Sequence, residues 1–170
     1  MDFEKLAAER YSLRKFSDRP VEAEKLAKIL EVSHNAPTAH NNQSQRVFVI
    51  QSPEALQKAD TCTDCHFNPP VMLVVGYDPA VSWVRESDGK HHGEIDATIA
   101  TTQMMLQAAD LEMGTVYIGM FSPAKLRETF PEMKDMEITA MIALGYPAEG
   151  AHPSKLHTMR FPLENMVTYL

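Results

Sequence analysis

The fold class of this 170-residue chain is decided by the stretch VMLVVGY, which runs from Val71 to Tyr77. Its consecutive apolar residues are typical of a strand that is covered on both faces. Further strands are predicted at Val47 to Ile50, Thr115 to Ile118 and Glu137 to Leu144. Helical patterns separate these strands, and this alternation predicts a layered α/β or α+β domain.

The helices are marked by their periodicity and by their first residues. Leu26, Ile29 and Leu30 recur at helical spacing, and Ala36-Pro37 should end that helix. Ser52-Pro53 and Ser122-Pro123 each combine an N-cap residue with proline at the first helical position. Each of these pairs therefore predicts the start of a helix.

The longest predicted helix runs from Gly93 to Met113, and Gly114 is expected to end it. Its buried stripe is expected to contain Ile95, Ile99, Leu106 and Ala109. The tail from Tyr146 to Leu170 shows no regular period, which predicts an irregular segment outside the core. Without repeats or long linkers, residues 1–170 are expected to form a single domain.

Composition excludes several classes of function. The chain has 23 acidic and 16 basic residues and a net charge of −7, which disfavours nucleic acid as a partner. It contains no apolar secretion signal or membrane-span pattern, so we expect a cytoplasmic protein without a membrane partner. The glycine-rich dinucleotide and P-loop motifs, the G-x-S-x-G elbow and the H-E-x-x-H motif do not occur.

Positive charge is concentrated near the N-terminus of this acidic chain. Arg10, Arg14, Lys15 and Arg19 place four cations in ten residues, where an even distribution would give about one. Two guanidinium groups and the hydroxyl of Ser12 form a donor set that suits the oxygens of a phosphomonoester. A solvated basic turn is the alternative.

A second candidate segment is the amide loop, residues 36–43, with the sequence APTAHNNQ. Amide side chains donate and accept hydrogen bonds, which suits the edge of a planar heterocycle such as flavin or pterin. An ordinary polar loop is the alternative.

The segment from Cys62 to His66 matches the C-x-x-C-H pattern of covalent haem attachment. Haem attachment is disfavoured because the chain shows no export signal, and a redox dithiol is disfavoured because the segment does not begin a helix. Zinc bound with His66, His91 or His92 remains a further alternative. We favour the interpretation that Cys62 and Cys65 are two thiols without a functional role.

The loop from Ser82 to Gly93 carries Trp83, the only tryptophan, and is either a surface loop or a neighbour of the binding pocket.

Five segments in this order resemble the nitroreductase family of FMN-dependent oxidoreductases. They are Arg10 to Phe16, the amide loop, Gly93 to Asp96 with Met104 to Leu106, Gly114 to Gly119, and Leu144 to Pro147. The resemblance covers nearly the whole chain. Departures are Ser44-Gln45, where many relatives have Pro-Trp, and Thr158, where relatives often have a basic residue.

The resemblance implies an α+β nitroreductase-like fold, with a mixed, mainly antiparallel sheet flanked by helices. It also implies a homodimer that binds FMN at its interface. The FMN would take reducing equivalents from NADH or NADPH and pass them, by a ping-pong mechanism, to a nitro-aromatic, a quinone or a similar small acceptor. A non-catalytic flavin- or ligand-binding protein on the same scaffold is the alternative. No metal is implied.

The resemblance also assigns the cofactor-binding residues. Those at the phosphate are Arg10, Ser12, Arg14 and Arg160, and Tyr11 is also assigned to cofactor binding. Those that line the isoalloxazine from one subunit are Pro37, Thr38, Ala39 and Asn41. Those that face it from the other subunit are Tyr117, Ile118, Gly119 and Met120, with a backbone N–H near flavin N5. No catalytic side chain is assigned, because the flavin carries the chemistry.

Overall fold

The computed structural model describes residues 2–170, and it contains a four-stranded sheet with helices on both faces. The helices are α1 (Phe3–Glu9), α2 (Ala23–His34), α3 (Pro53–Asp60), α4 (Gly93–Asp110) and α5 (Pro123–Thr129). The strands are β1 (Gln45–Ile50), β2 (Val71–Tyr77), β3 (Gly114–Ile118) and β4 (Glu137–Gly145). The predicted strands and helices are therefore all present, and the α+β class is confirmed. Within residues 2–170, no helix is both long and apolar enough to span a bilayer.

The strand order is β1-β2-β4-β3, and all three pairings are antiparallel. Gln45 lies opposite Tyr77, and Ile118 lies opposite Met141. A parallel pairing is present as the isolated bridge between Ser12 and Thr115. β1 and β3 are thus the two edge strands of the sheet, and β2 and β4 are the central strands.

The side chains of β2 and β4 alternate between two buried clusters. On one face, Leu73 and Ile142 pack with residues of α2 and α4. On the other, Val74 and Met141 pack with residues of α3 and α5. This double burial explains why β2 is apolar at successive positions instead of at every second one.

Helix α4 ends earlier than the sequence predicts. It stops at Asp110, and Glu112 adopts the left-handed conformation with φ of 62°. The amide of Met113 donates to the carbonyl of Ala108, and that of Glu112 donates to Ala109, which is the Schellman pattern with glutamate in the usual glycine position. Gly114 instead begins β3, where an added Cβ would lie 2.3 Å from Cδ2 of Leu13.

The predicted buried stripe of α4 is also wrong. Ile95 is 40% exposed, while Ile99, Leu106 and Ala109 are half-buried. The face that packs on the sheet is built mainly from smaller residues, because the helix lies close to the strands; its buried members are Gly93, Asp96, Ala97, Ala100, Thr101, Met104 and Ala108. Of the larger apolar side chains of α4, Met104 is buried in the core and Met105 packs against it, whereas Ile95 is exposed.

A polar cluster joins the segment before α2 to the end of β4. The hydroxyl of Tyr146 donates to Glu22, and the ammonium of Lys25 donates to the same hydroxyl at 2.8 Å. The guanidinium of Arg19 lies 3.8 Å from the Tyr146 ring centroid and donates to Glu22 at 2.7 Å. Tyr146 is buried and packs in the core, so the predicted irregular tail begins only after it.

Glu22→Gln tests this cluster. Hydrogen bonds from Tyr146 and Arg19 lower the pKa of Glu22 from 4.5 to about 2. Because the pKa is lower in the folded state, the carboxylate stabilises the fold above pH 4.5, and this contribution is lost as the pH falls from 4.5 toward 2. We expect the difference in Tm between the wild type and Glu22→Gln, followed by circular dichroism, to shrink across that range.

Glu24→Gln is the matched control, because Glu24 lies two residues further along, in the first turn of α2, and is exposed. A Tm difference between the wild type and Glu22→Gln that is constant from pH 7 to pH 3 would contradict this account of Glu22.

Candidate functional site

The predicted phosphate-binding residues lie where α1 ends and the chain meets β3. Ser12 forms the bridge to Thr115, and the amide of Leu13 donates to the carbonyl of Thr115 at 3.0 Å. Leu13 is fully buried, which fixes the backbone on both sides of it. Ser12 and Arg14, on either side of Leu13, line a cavity of about 280 Å³ together with His152 and Ser154 of the tail.

Arg10 and Arg160 form a pair of like charges. Burial, and next to it the charge of Arg160, lower the pKa of Arg10 from its ordinary value. The Nη1 atom of Arg10 is buried and has no hydrogen-bond partner among residues 2–170. Arg160 donates only to the carbonyl of Met159, at 2.8 Å. Neither guanidinium forms an ion pair with a carboxylate of the described chain. The arrangement leaves donors and charge for an external anion.

The other cations of this segment divide into two groups. Arg14 is exposed and donates to the carbonyl of Ser12 at 3.3 Å, so its remaining donors face solvent. Lys15 is held by the carbonyl of Glu149 at 2.7 Å. Arg19 is engaged with Glu22. The local concentration of positive charge seen in the sequence therefore reduces to Arg10, Arg14 and Arg160. Tyr11 lies beside them, with its ring 6.2 Å from that of His157.

The amide loop lies between α2 and β1 and has an unusual backbone. His40, Asn41 and Gln43 adopt φ values of 53°, 55° and 52°. Left-handed residues other than glycine are uncommon and concentrate at binding sites, where surrounding contacts hold them in place. Pro37 and Asn41 are exposed, whereas Thr38 and Ala39 are half-buried. The loop thus presents a fixed surface to solvent.

Asp96 holds the amide loop, and the sequence analysis did not assign it a role. Its side chain is 2% exposed and lies in the first turn of α4. Oδ1 accepts the amide of Ala39 at 3.0 Å, and Oδ2 lies 3.5 Å from the hydroxyl of Ser44. The available signal was its spacing, since Asp96 stands four residues before Ala100 on the buried face of α4.

The segment from Tyr117 to Met120 lies at the end of β3. Tyr117 and Met120 are exposed by 39% and 64%, while Ile118 is buried. Burial of the phenol, followed by the nearby Glu94 carboxylate, raises the pKa of Tyr117. The carbonyl of Met120 accepts the hydroxyl of Thr63, which ties this segment to the residues after α3. Gly119 is exposed, and no neighbour crowds the position of its missing side chain.

Within one chain, the structure does not bring the amide loop and the Tyr117–Met120 segment together. The loop precedes β1, and the segment ends β3, at the same end of the sheet. β2 and β4 lie between these two strands, so the lateral separation is about 14 Å. The phosphate-binding residues lie with β3. One chain thus offers two partial surfaces at opposite edges of its sheet.

The tail after Pro147 is irregular, as predicted, and it is exposed. Apart from a short turn at Leu163–Asn165, no regular element is assigned to residues 148–170. Its exposed apolar side chains are Leu156, Met159, Phe161, Leu163, Met166, Val167, Tyr169 and Leu170. Exposure of so many large apolar groups in one segment is typical of a surface that another chain covers.

The Cys62 to His66 segment is arranged as a turn that follows α3. Cys62 is buried, Cys65 is half-buried, and both thiols are free. His66 pairs with Asp60 at 2.8 Å. In the described chain, no three histidine, cysteine, aspartate or glutamate side chains are grouped as metal ligands.

The ring of Trp83 stacks on His40, so the loop from Ser82 to Gly93 contacts the amide loop.

Comparison with known proteins agrees with this geometry. The Nitroreductase family model matches residues 7–62 and 59–146. A nitroreductase family protein from Clostridium difficile 630 superposes with a TM-score of 0.92 at 37% identity, covering 99% of this chain and 98% of that one.

Two relatives extend the comparison. An NADH dehydrogenase from Thermus thermophilus is 28% identical and covers 99% of this chain and 96% of its own. An FMN reductase [NAD(P)H] from Bacillus subtilis is 27% identical and covers 81% of this chain and 63% of its own. The family model spans well over half of the sequence, and the Clostridium difficile structure matches the fold from end to end. The chain therefore belongs to the nitroreductase family.

Proposed function

We propose that this protein is an FMN-dependent oxidoreductase. It takes reducing equivalents from NADH or NADPH and delivers them to a nitro-aromatic, a quinone or a similar small acceptor. Family membership supports the class of reaction, and the Thermus thermophilus and Bacillus subtilis relatives carry names that refer to NADH, NAD(P)H and FMN.

The observation that carries the proposal is the uncompensated charge at Arg10 and Arg160. A buried guanidinium nitrogen without a partner costs free energy unless a ligand satisfies it. The terminal phosphate of FMN carries the opposite charge and several acceptor oxygens, so it fits this site. We assign Arg10, Tyr11, Ser12, Arg14 and Arg160 to the phosphate end of the cofactor.

The two partial surfaces account for the rest of the cofactor. The amide loop offers Pro37, Thr38, Ala39 and Asn41 to one side of the isoalloxazine. The end of β3 would offer Tyr117, Ile118, Gly119 and Met120 to the other side, where the family resemblance implies a backbone N–H near flavin N5. Because these surfaces lie at opposite edges of one sheet, we assign them to different copies of the chain.

A homodimer with FMN at its interface also explains the exposed apolar surfaces. The tail carries large apolar groups that its own core does not cover. Leu106 of α4 lines a groove of about 350 Å³ with Phe3 of α1, away from the sheet. Burial of such groups against a second copy contributes roughly 25 cal/mol for each Å² that is removed from water. We therefore expect the tail to wrap across the partner.

The protein groups bind and orient, whereas the cofactor does the redox work. FMN, when bound, supplies the capacity to accept two electrons and release them to a second substrate. The nicotinamide and the acceptor would occupy the same exposed face in turn, which implies a ping-pong mechanism. The guanidinium groups of Arg10, Arg14 and Arg160 neutralise the phosphate, and Asp96 keeps the amide loop in its binding conformation.

The test of the function is the colour of the purified protein. We expect a yellow protein that absorbs in the flavin bands and is bleached by NADH or NADPH without oxygen. Steady-state rates at varied NAD(P)H and acceptor should then give parallel double-reciprocal lines. A yellow protein that neither nucleotide bleaches would instead be a flavin-binding protein without this activity, and intersecting lines would exclude the shared binding face.

Arg14→Ala tests the phosphate assignment. The change removes charge-assisted hydrogen bonds worth about 1.5–3 kcal/mol, so the Kd for FMN should rise roughly 10- to 150-fold. The Kd for riboflavin, which lacks the phosphate, should remain unchanged. Both are measured by titration of flavin fluorescence.

Arg19→Ala is the matched control, because Arg19 belongs to the same run of cations but is engaged with Glu22. It should leave the Kd for FMN near that of the wild type. Equal weakening of FMN and riboflavin by Arg14→Ala would show that Arg14 does not bind the phosphate.

A further inference from the structure

The amide loop holds three non-glycine residues in the left-handed region. The amides of Asn41 and Asn42 donate to the carbonyls of Thr38 and Ala39, and the amide of Gln43 donates to the hydroxyl of Thr38 at 3.0 Å. Each left-handed residue costs on the order of 1–3 kcal/mol. Contacts from outside the loop add to these internal hydrogen bonds and help to offset that cost.

Two segments distant in sequence supply those contacts. From α4, Asp96 accepts the amide of Ala39 at 3.0 Å. From the segment that precedes α4, the ring of Trp83 stacks on His40, with 4.9 Å between centroids and 15° between planes. The side-chain amide of Asn42 also donates to the carbonyl of Val81 at 2.9 Å. The loop is thus held by a carboxylate at Ala39 and by an aromatic ring at His40.

The ring of Trp83 is itself fixed to the start of α4. The backbone carbonyl of Trp83 accepts a hydrogen bond from the amide of His92 at 2.9 Å. The His92 ring also packs edge-on against the Trp83 ring, with 4.6 Å between the two centroids. The neighbouring hydroxyl of Ser82 accepts the amide of Gly93 at 2.8 Å. Gly93 is buried against Tyr77, where a Cβ would lie 2.0 Å from the Tyr77 ring. The support therefore runs from the sheet through α4 to Trp83 and then to His40.

The position of His40 gives this stack a direct effect on binding. His40 lies between Ala39 and Asn41, two of the four loop residues that we assign to the isoalloxazine. Rotation of the His40 backbone out of the left-handed region would turn both neighbours away together, because φ and ψ set the direction of the chain on either side. Trp83 does not itself need to touch the cofactor.

We propose that Trp83 is a positioning residue for the flavin, which acts by stacking on His40 and so holding the amide loop in its binding conformation. The proposal rests on the proposed FMN function. In this proposal, the loop from Ser82 to Gly93 stabilises the conformation of the amide loop, which binds the isoalloxazine. The phosphate end of the site, at the opposite edge of the sheet, is independent of it.

The binding test compares Trp83→Leu with Trp83→Phe, which keeps an aromatic ring. Trp83→Leu should raise the Kd for FMN and for riboflavin by the same factor, about 2- to 12-fold, the contribution of one aromatic pair. Trp83→Phe should restore most of the affinity. Val84→Ala, in the same exposed loop, should leave both Kd values unchanged. A Trp83→Leu protein that binds both flavins like the wild type would overturn the proposal, as would Trp83→Phe if it were as weak as Trp83→Leu.

His40→Ala completes a double-mutant cycle. It should cause a similar loss of affinity, and adding Trp83→Leu to it should cause little further loss, since both changes remove the same stack. Additive losses would show that Trp83 acts without His40 and would contradict the proposal. The visible absorption bands of bound FMN should shift together in the two single variants.

Hydrogen exchange in the apoprotein tests, without any flavin, whether Trp83 holds the amide loop. The amides of Ala39, Asn41 and Gln43 should exchange faster in Trp83→Leu than in the wild type, while those of β2 remain protected. Unchanged exchange in the loop would overturn the proposal. If the wild type binds no FMN, the proposed function fails, yet this exchange experiment still decides whether Trp83 holds the loop. If Trp83→Leu does not fold, amide exchange in the loop and the two flavin Kd values are compared between the wild type, His40→Ala and Trp83→Phe instead.

Discussion

Burial of β2 and β4 on both faces is the constraint from which the other features follow. Leu73 and Val74 point into different cores, and so do Ile142 and Met141 on the neighbouring strand. A polar side chain on either of these strands would lose its hydration, which costs free energy. The binding residues are therefore confined to loops at the ends and edges of the sheet. The edge strands β1 and β3 therefore carry the two partial surfaces, with the core between them.

The first turn of α4 connects these surfaces to the core. Gly93 allows the helix to lie against Tyr77, and Asp96 then reaches the amide of Ala39. Glu94 lies on the same turn and contributes to the raised pKa of Tyr117, the first residue of the other surface. One helical turn thus accepts a hydrogen bond from one half of the proposed FMN site and places a charge near the other, although the two halves do not meet within one chain.

Periodicity and turn chemistry predicted the elements of the fold, while contacts between distant residues were beyond them. β2 and the helices that begin at Pro53 and Pro123 lie where their local signals place them, because strong local signals act there without competition. The end of α4 was misplaced because Glu112 takes a position that glycine usually occupies. Its stripe was misassigned because close packing on a sheet favours small residues, which a hydrophobicity pattern undervalues.

The candidate site shows the same division. Arg10, Ser12 and Arg14 were predicted from local charge and from the family resemblance, and Nη1 of Arg10 has no hydrogen-bond partner among the described residues. No local pattern indicated that His40 would stack on Trp83. That contact depends on how the chain returns to the sheet, which sequence spacing does not encode.

Sedimentation equilibrium combined with flavin stoichiometry tests the central claim, that a second copy completes the site. The full-length chain should sediment at about twice its mass of 19.1 kDa and hold one FMN per chain. A chain truncated after Gly150, which lacks Arg160 and the apolar tail, should lose both the dimer and the flavin. A full-length protein that sediments as a 19.1 kDa monomer and still retains one FMN per chain would contradict the account.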